Sequence, residues 1–199
     1  MKLSTGFVAR IGLAASFMLV AVSMAALVLV PRYSRPVAVA DIGTAAPDFQ
    51  LRDTTGHDFS LANFRGQAVV LYFSSLDSSL CAEYNDRVEQ LARHYGQDSR
   101  VKFLAVNRCS GDAIDPLLVR LDERVTQRSY PTLIDIKGLV ASRYSANTLP
   151  YVVVIDPRGY VCYRGPFDNN LDVAFVTHPF CAEAVHDVLA TSDVAVASK

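Results

Sequence analysis

The sequence has almost no net charge and no concentration of basic residues. Its 19 Lys and Arg nearly balance its 20 Asp and Glu, which leaves a formal net charge of −1 at pH 7. The basic residues are scattered along the chain, and neither a zinc-finger spacing nor an aromatic RNA-binding signature accompanies them. A nucleic-acid partner is therefore not expected.

The chain also shows no internal repeat, and its length leaves no room for a second full core. It has 199 residues, whereas single domains usually contain about 100–150. Hydrophobic residues make up 51% of the sequence and charged residues 20%. This composition excludes a disordered chain and indicates one domain with a sizeable core, plus accessory segments.

Only one long apolar run is present, over residues 11–30, and it contains no charge. At ~1.5 Å per helical residue this run matches a hydrocarbon core of ~30 Å. Secretory signal peptides usually have a shorter apolar region of roughly 7–15 residues. We therefore expect a single-pass transmembrane anchor with the N-terminus inside and the domain on the periplasmic or extracytoplasmic side. Cleavage near residues 38–40 is the alternative.

The pattern of the remaining chain predicts an α/β fold with a mixed central sheet flanked by helices and preceded by an N-terminal β-hairpin. The expected organisation is a short tail (1–10), the anchor (11–30), a linker (31–43), the domain (44–190) and a flexible tail (191–199). The predicted elements are a hairpin over 48–61, strands over 68–73, 101–106, 132–135, 151–155 and 160–163, and helices over 81–95, 115–125, 139–144 and 180–189.

Several segments carry a family resemblance. Residues 42–49 (IGTAAPDF), 53–61 (DTTGHDFSL) and 64–73 (FRGQAVVLYF) resemble the start of redoxin domains. These domains belong to the alkyl hydroperoxide reductase/thiol-specific antioxidant group and to the membrane-anchored thioredoxin-like oxidoreductases. Residues 149–159 (LPYVVVIDPRG) are similar to the strand and hairpin of the family that begin at a cis-proline. The resemblance covers about residues 42–168 and implies a thioredoxin-like fold.

The resemblance places the active site in the loop after the first buried strand, but the motif there is incomplete. Ser78 stands where the first cysteine of a Cys-x-x-Cys motif would be, and Cys81 stands at the second. A two-cysteine shuttle within this motif is therefore impossible. Peroxiredoxins have Thr-x-x-Cys instead, which Ser78 and Cys81 resemble, although Pro150 occupies the place of that family's catalytic arginine. The sequence combines features of both patterns.

What the resemblance implies is a nucleophilic Cys81, with Ser78 next to it and a cis Pro150 beside the loop. The N-terminus of a helix stabilises a thiolate, so the chemistry is available. Each residue also has a plainer interpretation. Cys81 could be a small buried hydrophobic residue, Ser78 a helix cap and Pro150 an ordinary turn proline.

The other three cysteines are candidates for resolving or structural roles. Cys109 follows a strand expected to lie parallel to the first buried strand, so it is the candidate partner of Cys81. Cys162 and Cys181 could form a structural bridge, although four cysteines allow three complete pairings. The spacing of His178, Cys181 and His186 fits no standard zinc pattern, and no metal or organic cofactor is expected.

Two functional hypotheses follow. The first is a membrane-anchored, thiol-dependent oxidoreductase in which Cys81 attacks a protein disulfide or a small peroxide. The second is a non-catalytic thioredoxin-fold module that keeps the cleft and the cis-proline to bind a partner protein.

Overall fold

A computed structural model of the chain describes residues 39–109, 119 and 128–197, with side chains up to residue 192. The predicted N-terminal tail, the predicted anchor over 11–30 and nearly all of the predicted helix over 115–125 lie outside the described residues. Among the residues that are described, no helix is long and apolar enough to cross a bilayer.

A seven-stranded mixed sheet forms the centre of the domain. Its strands follow the chain in this order: β1 Gln50–Asp53, β2 Asp58–Ser60, β3 Ala68–Ser74, β4 Val101–Cys109, β5 Thr132–Ile136, β6 Tyr151–Ile155 and β7 Val161–Gly165. In space the order is β2-β1-β5-β4-β3-β6-β7. Strands β3, β4 and β5 are parallel, and the remaining neighbours pair antiparallel. The predicted mixed sheet with an N-terminal hairpin is confirmed.

Strand β3 lies inside the sheet, between β4 and β6. Its largely apolar residues suit a position that is covered on both faces. All seven are buried, as a continuous β-branched and aromatic run predicts for a strand covered on both faces. Alternate residues contribute to two separate cores. Val69, Leu71 and Phe73 belong to one core, and Val70 and Tyr72 belong to the other.

Within the described residues, the helices that pack against the sheet are α1 Ser79–Tyr95, α2 Leu139–Arg143 and α3 Phe180–Ala197. The core that contains Tyr72 also contains buried residues of α1 and α3, and the opposite core contains buried residues of α2. Two short 3-10 helices, Leu61–Phe64 and Val173–Phe175, complete the described elements. The sheet is thus covered on both faces, and its carboxyl edge is left for the loop before α1.

Two residues of the predicted linker over 31–43 are bonded to the rest of the described chain. Ala40 is fully buried and donates its N–H to the Arg143 carbonyl at 2.8 Å. Gly43 donates to the Val161 carbonyl at 2.8 Å. Ala40 is therefore bonded to α2, and Gly43 is bonded to β7.

The closing helix extends beyond its predicted end. The sequence predicts a helix over 180–189 and a tail from 191, whereas α3 continues to Ala197. Thr191 and Ser192 donate their hydroxyls to the carbonyls of Asp187 and Val188, each at 2.8 Å. Both hydroxyls are therefore satisfied within the helix.

Candidate active site

The candidate site is the turn between β3 and α1, at the carboxyl edge of the parallel strands. Strand β3 ends at Ser74 and α1 begins at Ser79. Ser78 has extended backbone angles and its hydroxyl oxygen accepts a hydrogen bond from the Cys81 N–H at 3.2 Å. Ser78 is therefore the N-cap of α1 and satisfies one of the N–H groups that a helix end leaves without a partner.

Cys81 lies in the first turn of α1 with its side chain turned towards the sheet. The residue is only 3% exposed. It borders a small cavity of about 30 Å³, lined by Ser74, Ser75, Leu76, Ser78, Cys81, Ala82, Asn85 and Arg128. A cavity of this size holds one or two molecules of water size. The thiol is therefore presented in a narrow pocket, and a larger reactant requires the loop to move.

Tyr72 of β3 is bonded to the first turn of α1. Its hydroxyl donates a hydrogen bond to the Cys81 carbonyl at 3.3 Å and is buried. Burial raises the pKa of Tyr72, and the nearby Cys81 raises it further. Tyr72 therefore stays protonated and acts as a hydrogen-bond donor that fixes the first turn of α1.

No motif in the sequence marks Arg128, which lines the Cys81 cavity. Its guanidinium donates to the Asn85 side-chain oxygen at 3.1 Å and to the Thr132 hydroxyl at 3.3 Å. Arg128 precedes β5 in a segment without a recognisable motif and is 47 residues from Cys81 in the sequence. Only the packing of that segment against α1 brings the two residues to one cavity.

Pro150 follows a cis peptide bond with Leu149, as the resemblance predicted. It immediately precedes β6, whose first residue Tyr151 pairs with Phe73 of β3. The loop before α1 starts after Ser74, one residue beyond that pair. Pro150 and the loop therefore leave the same edge of the sheet from adjacent strands.

Cys109 is the last residue of β4, whereas the sequence predicted that this strand ends at residue 106. It is buried, and burial raises the pKa of its thiol to about 11, with further contributions from Asp135 and Asp77. Asp77 belongs to the loop before α1, so the Cys109 sulfur lies within electrostatic range of that loop. At neutral pH the group is a protonated thiol.

All four cysteines are free thiols in the structure. Cys162 is exposed overall, but the partial removal of water from around its sulfur raises the pKa of its thiol, and Asp156 raises it further. Cys181 is completely buried, and burial raises the pKa of its thiol to about 12. The possible Cys81–Cys109 and Cys162–Cys181 pairings stay predictions.

A buried polar network ties α1 to the chain after β7. Arg87 donates to an Asp168 carboxylate oxygen at 2.8 Å, and the Tyr84 hydroxyl donates to the other oxygen at 3.0 Å. Arg87 also donates to the Asn170 carbonyl at 2.8 Å. The Arg87 side chain is only 13% exposed because the segment after β7 folds over it.

No group of three His, Cys, Asp or Glu side chains within the described residues could hold a metal ion. His178 lies 3.9 Å from a carboxylate oxygen of Glu183 and stacks on Phe180. Cys181 is buried against the sheet.

Comparison with known proteins places this geometry in context. Residues 42–164 match the AhpC/TSA family. The thiol-disulfide oxidoreductase ResA of Geobacillus kaustophilus is 31% identical over 132 residues, which cover 65% of this chain and 71% of ResA. The thioredoxin-like protein YneN of Bacillus subtilis is 28% identical over 129 residues, which cover 65% of this chain and 74% of YneN.

Solved structures share the fold at lower sequence identity. A secreted disulfide oxidoreductase of Mycobacterium tuberculosis superposes with a TM-score of 0.55 at 19% identity, over 70% of this chain and 95% of its own. A thiol-disulfide oxidoreductase of Bacteroides fragilis gives a TM-score of 0.55 at 23% identity, over 62% of this chain and 90% of its own. These likenesses establish a thioredoxin-like fold.

Proposed function

This chain belongs to the AhpC/TSA family, and on that premise we propose that it is a thiol-dependent oxidoreductase with Cys81 as its single nucleophile. The observation that carries the proposal is the position of Cys81 in the first turn of α1, with its N–H bonded to Ser78. A helix N-terminus stabilises a thiolate through its partial positive charge.

The reaction we propose is thiol–disulfide exchange with a protein partner, an activity that the name of the relative ResA states for that protein. The Cys81 thiolate attacks one sulfur of a substrate disulfide, a mixed disulfide forms, and the other sulfur leaves as a thiolate that takes up a proton. A reductant thiolate then attacks the Cys81 sulfur of the mixed disulfide, which releases the second substrate sulfur as a thiolate that takes up a proton and leaves Cys81 bonded to the reductant. A second reductant thiolate attacks the reductant sulfur of that bond, which returns Cys81 to its thiolate and forms the disulfide of the reductant.

The second thiol comes from an external reductant. Cys109 is buried and burial raises the pKa of its thiol to about 11, which makes it a poor attacking thiol at neutral pH. Ser78 has a hydroxyl where a resolving sulfur would be needed. Electrons therefore enter from a small thiol or from a partner protein.

We also propose that residues 11–30 anchor the protein in a membrane, with a single span, the N-terminus inside and the domain on the periplasmic or extracytoplasmic side. The support is the length of the uncharged run in the sequence. An oxidising compartment is where disulfide substrates occur.

The test is insulin reduction by the full chain with a small-thiol reductant, comparing Cys81→Ser with Cys162→Ser. We expect Cys81→Ser to lose the catalysed rate and Cys162→Ser to retain it, because Cys162 lies on β7. Full activity of Cys81→Ser would remove Cys81 from the mechanism. A second assay compares the same two variants with hydrogen peroxide in place of insulin, because a small peroxide fits the narrow cavity.

A non-catalytic binding module is the second candidate. The observation that favours it is the 3% exposure of Cys81, which leaves little of the residue for a substrate to reach. A wild-type protein whose Cys81 resists alkylation in the folded state, and whose partner binding survives Cys81→Ala, would support the module.

A further inference from the structure

We propose that Arg128 supplies the positive charge that stabilises the Cys81 thiolate, and that Asn85 is the positioning residue that holds it there. This inference rests on the proposed function, since it assigns the electrostatics of the same site. It adds Arg128, which lies in the segment before β5, to the site that is otherwise formed by the turn between β3 and α1.

The first step is the shared cavity. Arg128 and Cys81 both border the cavity of about 30 Å³ before α1. Arg128 and Cys81 also act electrostatically on the same buried hydroxyl, that of Tyr72, together with Tyr130 and Tyr84. Arg128 is the cation among them. In such a partly buried place a unit charge acts over several ångströms with little screening.

The second step is that the guanidinium is held in place. Arg128 donates to Asn85 at 3.1 Å and to Thr132 at 3.3 Å. The next residue, Ser129, donates its backbone N–H to a carboxylate oxygen of Glu89 at 2.9 Å. The segment before β5 is therefore bonded to α1 at two successive places, one through a side chain and one through the backbone.

The third step is the spacing on α1. Cys81, Asn85 and Glu89 follow one another at intervals of four residues, so they lie along one face of the helix. The nucleophile and the two groups that hold the segment of Arg128 therefore share one rigid element. A fixed charge needs no reorganisation when the thiolate forms.

A charge-selective alkylation experiment tests the proposal on the full chain. Neutral iodoacetamide and anionic iodoacetate react separately with the reduced protein, and mass mapping follows the Cys81 peptide alone. The ratio of the two rates reports the local charge at the sulfur, and a loss of packing changes both rates together. We expect Arg128→Gln to lower the iodoacetate-to-iodoacetamide ratio by about three- to tenfold.

Three further variants complete the design. Arg128→Lys keeps the charge and should restore most of the ratio. Asn85→Ala should lower the ratio by a smaller factor, because the guanidinium keeps its charge and loses a tether. Arg108→Gln removes a charge at the end of β4, where Arg108 donates to the Asn147 carbonyl, and should leave the ratio unchanged.

The outcomes separate this inference from the proposed function. If Cys81 of the folded wild type reacts with neither reagent, the proposed function fails. If Cys81 reacts and its ratio is the same in wild type, Arg128→Gln and Arg128→Lys, Arg128 does not act on the sulfur and this inference is overturned. Should Arg128→Gln not fold, Asn85→Ala takes its place. An iodoacetate-to-iodoacetamide ratio below those of Arg128→Lys and Arg108→Gln supports the inference, and an equal ratio overturns it.

Discussion

The hydroxyl oxygen of Ser78 accepts a hydrogen bond from the Cys81 N–H at 3.2 Å. The residue that stands in place of a motif cysteine is therefore the N-cap of the helix that carries the remaining cysteine. The two interpretations of Ser78 from the sequence, helix cap and neighbour of the nucleophile, describe the same contact. With serine in place of a motif cysteine, the start of α1 is still capped, and the cap bonds to the residue that carries the thiol.

The cap has a measurable weight in stability. We expect Ser78→Ala to lower the free energy of unfolding by about 1 kcal/mol, the usual cost of losing a serine N-cap. Ser78→Asp, which can accept the same hydrogen bond, should keep most of the stability. Urea denaturation followed by circular dichroism measures both changes. Equal stability of Ser78→Ala and wild type would show that the cap contributes nothing.

Restoring the missing sulfur should restore the two-cysteine reaction. Ser78→Cys creates Cys-x-x-Cys at a helix start whose residue-78 side chain already reaches the backbone of Cys81. We expect an intramolecular disulfide between positions 78 and 81, seen as a loss of two thiols after oxidation, and a faster insulin reduction. Ser79→Cys adds a thiol one position further and serves as the control. A bridge in neither variant would contradict the assigned geometry.

The thiol of Cys109 should be slow to react until the pH is high. Burial raises its pKa from the ordinary value of 9.0 to about 11, so the folded state holds this proton more tightly than the unfolded state does. The contribution of Cys109 to stability is therefore complete below about pH 9 and is lost as the pH rises towards 11.

Alkylation of the folded protein at pH 8 and at pH 10.5, with mass mapping of each cysteine, measures this behaviour. We expect Cys109 to be modified at a far higher rate at pH 10.5, and the exposed Cys162 to be modified more readily than Cys109 at pH 8. Rapid modification of Cys109 at pH 8 would reopen its role as an internal resolving thiol.

The network of Arg87 and Asp168 should be important for stability. Both side chains are largely buried, at 13% and 3% exposure, and removing one partner leaves the other charge buried without its counter-ion. We expect Asp168→Asn to lower the free energy of unfolding by about 3 kcal/mol. Asp58→Asn removes an exposed carboxylate bonded to Arg52 and should change stability little. Equal losses of unfolding free energy in the two variants would show that the buried pair contributes no more to stability than the exposed one.

The membrane proposal has its own test. Val20→Arg together with Val22→Arg places two charges in the middle of residues 11–30, each of which costs about 2.5–3.5 kcal/mol at the centre of a membrane helix. We expect the wild-type chain, and the matched variant with leucine at both positions, to stay with membranes after alkaline carbonate washing. The arginine variant should be found in the supernatant. Release of the wild type would contradict an anchor.

Much of the fold could be predicted from the sequence, because apolar periodicity and turn residues determine the elements. The run over 68–73 predicted the buried central strand, and Asp156 to Gly159 predicted the turn between β6 and β7. Element ends were less predictable. Strand β4 runs to Cys109 because its last residues pair with β5, up to Cys109 opposite Ile136, and such pairing is invisible in a single segment.

The site could be predicted only in part, for a similar physical reason. Ser78, Cys81 and Pro150 stand at positions that the family resemblance marks. Arg128 reaches the cavity through contacts with Asn85 and Thr132, which belong to two different elements. No local pattern encodes a contact that packing alone creates, so nothing in the sequence predicted this residue.

The most direct test of the account is to trap the mixed disulfide on Cys81. The full chain with Cys162→Ser, reduced and folded, is exposed to an oxidised peptide disulfide at pH 7, quenched with acid and mapped by mass spectrometry. The account predicts a peptide adduct on Cys81 that an added small thiol removes, with Cys109 and Cys181 unmodified. A Cys81 that stays free while the peptide disulfide is reduced, or that never reacts, would contradict it.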